Sequence, residues 1–257
     1  MWAGGVAVTL VLSLFPGIGL LDRAFEEEGF CVVRGPDLLW GGDIKTFHPP
    51  VGKFDGVIGG PQCQAFSRMR HLVAHNGYRM AENLIPEFER CVAAAEPAWF
   101  LMENVPEAPA PCVPGYHVVP QEIVDATVGG ETRRRRLFHF GTTDGRPLVI
   151  AWPALHRPDP EPPVMASGGG RPVPVAIGGS GKVKRSLRDV ATRKGAAALG
   201  FKTLSYYREA LRLTGLPPDF LAEAPFTVAG KIHAVGNGVP LAMGRAVAQA
   251  VKRAMGP

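Results

Sequence analysis

Along the chain, apolar residues recur with two different periods. From about Val8 to Leu14 the sequence is almost wholly apolar, which predicts a buried strand. The turn Phe15-Pro16-Gly17-Ile18-Gly19 closes it, and Leu20, Leu21, Ala24 and Phe25 then recur at helical spacing. CVVRG, starting at Cys31, predicts a second short strand ending near Asp37, and FDGVI (Phe54 to Ile58) a third. The stretch from Ala81 to Ala95 has a helical pattern, and PAWFLMENV predicts a strand running into Glu103-Asn104-Val105. RLFHFG, from Arg136 to Gly141, predicts one more strand. Leu204 to Leu216 and LAMGRAVAQAVKRAM near the end predict helices. Strands alternating with helices imply an α/β fold, a mostly parallel sheet with helices on both faces. In such sheets ligands bind beyond the carboxyl ends of the strands. Phe15 to Gly19, Asp37, Cys63 and Glu103 each follow a strand, so they are expected to gather at one edge.

Composition changes this picture in two ways. The chain has 257 residues, 46% of them hydrophobic, enough for one large domain with a lobe or for two domains. From about Asp144 to Lys202 proline and glycine become dense, and Arg171, Lys182, Lys184, Arg185, Arg188, Arg193 and Lys194 add positive charge. Apolar pieces such as PLVIAW and VPVAI make this a small lobe or a set of long loops rather than a plain linker. The formal net charge of +5 favours a polyanionic partner. Cys31, Cys63, Cys91 and Cys112 are widely and irregularly spaced with no C-x-x-C pair, which argues against zinc and against a disulfide framework. The apolar start lacks a basic leader and is broken by Pro16 and Gly17, so it reads as a strand rather than a signal peptide or a bilayer span.

Candidate chemistry follows from residue types at strand ends. Cys63 sits in GGPQCQAFS between two glutamines, an unusual setting for a core thiol, and suits an exposed nucleophile. FPGIG lets backbone approach a ligand at a helix N-terminus. With an acid after the second strand it suits a ribose-bearing ligand, and Asp37 fills that place; Asp43 could accept from an amino group. Turn chemistry is the competing reading for both aspartates. Glu103, partly withdrawn from water at the end of an apolar strand, suits a general acid or a partner for a ring nitrogen. The competing reading is a strand-end glutamate paired with an arginine. Of the run Arg133 to Arg136, alternate residues share one face of a strand, so two can point inward.

Several of these blocks, in order, resemble the DNA cytosine-5 methyltransferases. SLFPGIGLLDRAFEEEGF is similar to the family's cofactor-binding opening and GGPQCQAFS to its nucleophile loop. NLIPEFERCVAAAEPAWFLMENV is similar to the helix and strand ending in ENV, TRRRRLF to the Q-x-R-x-R strand, and LSYYREALRLTGLPPDF and GNGVP to the last two motifs. The stretch from about Asp144 to Lys202 lies outside the likeness, where the family carries a variable target-recognition segment. The chain departs from the pattern at Gln62 (usually proline), Ser13 (usually aspartate), Thr132 (usually glutamine) and in the short span from Asp37 to Asp43, where a helix common in the family is missing.

The resemblance implies a class I S-adenosylmethionine-dependent, Rossmann-like methyltransferase fold with a small target-recognition lobe. The expected division is 1–143 catalytic, 144–225 target recognition and 226–257 returning to the catalytic domain. It implies transfer of a methyl group from S-adenosylmethionine to C5 of a flipped-out cytosine, with Cys63 as nucleophile and Glu103, Arg134 and Arg136 acting on the base. Phe15, Gly17, Gly19, Asp37, Leu38, Asp43, Ile44, Pro61, Asn237 and Val239 would line the cofactor site. Gln64, Ser67, Arg68, Arg70, Lys182, Lys184 and Arg185 would contact double-stranded DNA. A monomer is expected, with no metal and no membrane, in a bacterial or phage-encoded cytoplasmic setting near the nucleoid. An inactive DNA-binding relative, an RNA cytosine methyltransferase and a metabolite enzyme using the same cofactor are the open alternatives.

Overall fold

The computed structural model describes residues 9–62, 82–152, 160–164 and 204–256. Among them, β1 (Leu10–Leu14), β2 (Cys31–Arg34), β3 (Gly56–Gly59), β4 (Trp99–Asn104), β5 (His117–Val124) and β6 (Arg135–Thr142) form one sheet in the order β2-β1-β3-β4-β6-β5. The four strands from β2 to β4 run parallel, and β6 is antiparallel to both of its neighbours. The helices among the described residues are α1 (Leu20–Glu27), α2 (Ile85–Ala95), α3 (Leu204–Thr214), α4 (Val228–Asn237) and α5 (Leu241–Met255).

Alternation along the central strands distributes the core. Val11, Ile58, Trp99 and Leu101 pack with Phe25 of α1 and with Met243, Val247 and Val251 of α5. Leu12, Leu14, Val57, Phe100 and Met102 pack instead with Phe88, Cys91 and Val92 of α2. Both faces are therefore covered, which is why β4 is buried at every position and reads as a continuous apolar run. A third cluster joins Leu20 and Ala24 of α1 to Tyr206, Tyr207 and Leu211 of α3 and Ile232 and Val235 of α4. Arg212 on α3 pairs with Glu131, with Glu161 at 3.0 Å and with Glu209 at 2.8 Å, tying α3 to the entry of β6 and to the 160–164 segment.

The structure differs from the sequence pattern in direction and in extent. The strand expected from Arg136 to Gly141 is present but reversed, paired antiparallel to β4 from Asn104↔Leu137 to Trp99↔Thr142. The helix expected from Ala81 begins at Ile85, where Pro86 occupies the first turn and the Ile85 N–H is taken by Asn83 Oδ1 at 3.0 Å. Between β2 and β3 only two single 3-10 turns occur, Leu38–Trp40 and Ile44–Thr46, in line with the short span read from the sequence. No described helix is long and apolar enough to cross a membrane.

His139, in the middle of β6, is buried and its Nδ1 finds no hydrogen-bond partner among the described residues. Burial lowers its affinity for a proton below that of an ordinary imidazole near 6.5. The unfolded chain therefore takes the proton first, and stability falls as pH drops below about 6.5. Buried Asp22 and Asp125, both raised chiefly by desolvation, act with the opposite sign at lower pH. We expect the melting temperature to fall between pH 7.5 and 5.5, and His139→Gln to flatten that slope. An unchanged slope in the variant would show that other groups set it.

Candidate active site

The parallel strands deliver their carboxyl ends to one cavity of about 620 Å³. The β1–α1 turn forms its floor. Phe15 there has a positive φ of 55°, a strained conformation for a residue with a side chain. Gly19 caps α1 at φ 76°, in the left-handed region that favours glycine, and a Cβ on it would lie 3.0 Å from the end of the Arg34 side chain, which can shift. Asp37 ties this turn to the loop after β2: its Oδ2 accepts the Gly17 N–H at 2.8 Å and its Oδ1 the Leu39 N–H at 2.7 Å. Trp40 closes the same loop. Its indole Nε1 donates to Gly17 O at 2.7 Å, and its ring centroid lies 5.7 Å from that of Phe226.

Two further elements bring charge to the far side. Glu103, near the end of β4, and Arg136, one pair beyond the last β4–β6 partner, approach to 2.6 Å between Oε1 and Nε. The contact is an ion pair rather than an aligned hydrogen bond. Gly60 lies against it, since a Cβ there would come within 2.9 Å of Glu103 Oε2. Asn104 Nδ2 donates to Pro61 O at 3.1 Å, fixing the segment that leads to Gln62 and so to Cys63. Five carboxylates line the cavity (Asp22, Asp37, Asp43, Glu82, Glu103) against Lys45 and Arg136, in a chain whose net charge is positive. The site is thus acidic within a basic protein, which favours a cationic ligand there.

Of the residues singled out from the sequence, Phe15, Gly17, Asp37, Leu38, Asp43, Ile44, Pro61, Asn237 and Val239 line this cavity, together with Glu103 and Arg136. Gly19 does not line it, and acts as the cap of α1. Arg134 does not line it either; it is buried, and its Nη1 donates to Val164 O at 3.0 Å, while exposed Arg133 and Arg135 turn to Pro160 O and Glu122. The expected alternation of the four arginines is present, but only Arg136 of the inward pair reaches the cavity. Cys63, Gln64, Ser67, Arg68, Arg70, Lys182, Lys184 and Arg185 lie outside the described residues. Among the described residues, no cluster of three His, Cys, Asp or Glu could hold a metal.

Several cavity residues escaped the sequence reading. Trp40, Phe226 and His233 line it, and an aromatic in a glycine-rich loop after a strand was the available signal for Trp40. Asn104, which does not line the cavity but holds Pro61 at its edge, was eclipsed by its neighbour Glu103. Asp22 and Ser13 also line it, and only their packing reveals that they meet.

Known proteins point the same way. The family model for C-5 cytosine-specific DNA methylase matches residues 41–111. Type II methyltransferase M.HgiDI of Herpetosiphon aurantiacus is 30% identical over 166 residues, covering 52% of each chain. M.FnuDI of Fusobacterium nucleatum is 33% identical over 111 residues, 37% of this chain and 32% of the relative. The chain thus spans about a third to a half of the length of these curated relatives. M.HgiGI of H. aurantiacus is 31% identical over 118 residues, 38% of this chain but 90% of the relative. Among solved structures, a prophage-encoded E. coli protein described as a DNA modification methyltransferase superposes with a TM-score of 0.58 at 18% identity, covering 96% of this chain and 99% of its own. Entamoeba histolytica methyltransferase EhMeth gives 0.58 at 12% identity, with 98% and 100% covered. At these identities the superpositions speak to the fold alone, a Rossmann-like methyltransferase sheet. The relative matched over nine-tenths of its length settles the kinship: this chain belongs to the C-5 cytosine-specific DNA methylase family.

Proposed function

We propose that the protein transfers a methyl group from S-adenosylmethionine to C5 of a cytosine extruded from double-stranded DNA, through a transient bond between Cys63 and C6. One observation carries the reading: the glycine turn with Asp37, the Glu103–Arg136 pair and the Pro61–Gln62 segment leading to Cys63 all meet one cavity. A donor and an acceptor can therefore share it.

The residues present fit the donor. Each Asp37 oxygen accepts one backbone N–H and keeps a second lone pair, which suits a pair of ribose hydroxyls. Phe15, Leu38, Ile44 and Val239 offer apolar surface for a purine. The acidic lining suits a sulfonium and an ammonium group. When bound, S-adenosylmethionine supplies the methyl group that C5 accepts.

On the acceptor side the difficulty is that C5 of cytosine is a poor nucleophile. Addition of the Cys63 thiolate at C6 makes C5 enamine-like. Glu103 contacts N3 and the exocyclic amine, and protonation at N3 favours the addition. Arg136 orients Glu103 and the base; Arg134 is a positioning residue that anchors the 160–164 segment. After methylation the C5 proton leaves to a base, and elimination returns the electron pair to sulfur. C6 is out of reach in a stacked duplex, so the base must be extruded at about a few kcal/mol, offset by phosphate contacts from Arg68, Arg70 and the basic lobe.

Methyl transfer from labelled donor to duplex DNA and to tRNA, assayed side by side, tests this. The expected result is label in duplex cytosine. DNA binding without label favours an inactive relative, and label in tRNA alone an RNA enzyme. Gly60→Ala tests the geometry, because its Cβ pushes on Glu103 Oε2. We expect turnover to fall by up to about 10²-fold with little change in melting temperature, since misplacing a reacting group by about an ångström costs that much. Full activity in Gly60→Ala would separate Glu103 from the chemistry.

A further inference from the structure

One wall of the cavity carries a polar pair that the mechanism above leaves without a task. Phe226, just before α4, and Gly230, His233, Ala234 and Asn237 on it recur at helical spacing and line the cavity. Gly230 and Ala234 have little side chain, so His233 and Asn237 supply the polar groups of that wall. Asn237 Nδ2 lies 3.1 Å from His233 Nε2. An amide nitrogen can only donate, so Nε2 accepts. The bond fixes the amide: Oδ1 is turned away from the ring and keeps its lone pairs for a donor. Such pairs add little to an open helix surface, so stability is a weak reason for this one. Nor is Asn237 needed to end the helix, because the Gly238 N–H closes α4 on Ala234 O and Val235 O, each at 3.2 Å. The helix starts beside the loop that holds Asp37, through the Phe226–Trp40 ring contact. It ends against α1, where a Cβ on Gly238 would run into Leu20.

We propose that His233 is a positioning residue for the amino-acid tail of the cofactor: it holds Asn237 with Oδ1 toward the ligand, and that oxygen accepts from the tail's ammonium group. This rests on the cofactor reading of the cavity. With the ribose at Asp37 and the methyl group directed toward Glu103, the tail falls to the β1–α1 turn and the end of α4. The acidic lining favours an ammonium there. Without the ring the amide is free to present its nitrogen instead, which offers an ammonium no lone pair.

Calorimetric titration with S-adenosylhomocysteine, which has the tail, and with 5′-methylthioadenosine, which lacks it, tests the inference. The proteins are the wild type, His233→Ala, His233→Gln, Asn237→Ala and the double variant His233→Ala/Asn237→Ala, each with its ligand-free melting temperature. We expect His233→Ala to bind S-adenosylhomocysteine about tenfold more weakly, the scale of one hydrogen bond to a charged group. Its affinity for 5′-methylthioadenosine should stay within about twofold of wild type. His233→Gln, whose Oε1 can accept where Nε2 did, should recover binding of the tailed ligand to within about threefold. The double variant should bind no more weakly than Asn237→Ala, since His233 acts through Asn237. Equal losses for the two ligands, a glutamine variant as weak as the alanine one, or additive losses in the double variant would overturn the inference. Failure of His233→Ala to fold would make the ring part of the scaffold and overturn it too. If the wild type binds neither ligand, the cofactor reading falls and this inference with it; if the wild type binds both and His233→Ala loses neither, this inference falls alone.

Discussion

Cys63→Ser is expected to abolish methyl transfer, by roughly 10⁴-fold or more, while leaving duplex affinity within a few-fold of wild type. The reason is specific to sulfur. A serine hydroxyl at neutral pH is almost wholly protonated, whereas a cysteine has an appreciable thiolate fraction and is intrinsically more nucleophilic. Only the covalent step needs that thiolate; extrusion of the base and phosphate contacts do not. Removing a nucleophile from a group that acts as a unit removes most of the catalysis the unit supplies. Single-turnover transfer and a binding isotherm at fixed salt are the measurements, since phosphate contacts make affinity salt-dependent. Near wild-type turnover would refute the assignment, and a parallel loss of binding would move Cys63 from chemistry to structure.

Glu103→Gln is expected to lower turnover by about 10²–10⁴-fold, the range for losing a positioned acid–base group, with a smaller effect on cofactor affinity. Glutamine keeps the shape but is neutral, so it also gives up the charge attraction to Arg136 Nε, which lies 2.6 Å from the carboxylate. It cannot deliver a proton to N3. Arg136→Lys should lose less at the chemical step, because a lysine keeps the charge but not the guanidinium's planar geometry. The two residues touch, so the double variant should fall short of the product of the single effects. Strictly multiplicative losses would mean that the pair does not act together on the base.

Most of the sheet was legible in the chain because its central strands are covered on both faces and so read as unbroken apolar runs. The misses have particular causes. β5 contains Pro120, Gln121 and Glu122; as an edge strand it tolerates proline and polar residues, and it gives little periodic signal. α4 carries Gly230 and Gly236, which obscured a helix whose Thr227 cap accepts from the Gly230 N–H. The direction of β6 is not encoded in periodicity at all. The gathering of Phe15, Asp37 and Glu103 followed from topology, because parallel strands share one carboxyl edge. The division of labour between Arg134 and Arg136 did not, because it depends on where β4 stops and on the 160–164 segment that covers Arg134. The Ser13–Asp22–Arg34 contact was equally invisible, since it joins three elements that only tertiary packing brings together.

The central claim is that Cys63 bonds to an extruded cytosine while the donor occupies the neighbouring cavity. Duplex DNA carrying 5-fluorocytosine in the target strand tests it most directly, because fluorine at C5 cannot leave as a proton and the elimination that frees the sulfur is blocked. Incubated with S-adenosylmethionine, the protein should form a denaturation-resistant complex whose digested peptide carries the methylated, fluorinated base on Cys63. A protein that methylates ordinary cytosine yet yields no adduct on this substrate, or one mapped to Cys31, Cys91 or Cys112, would contradict the account.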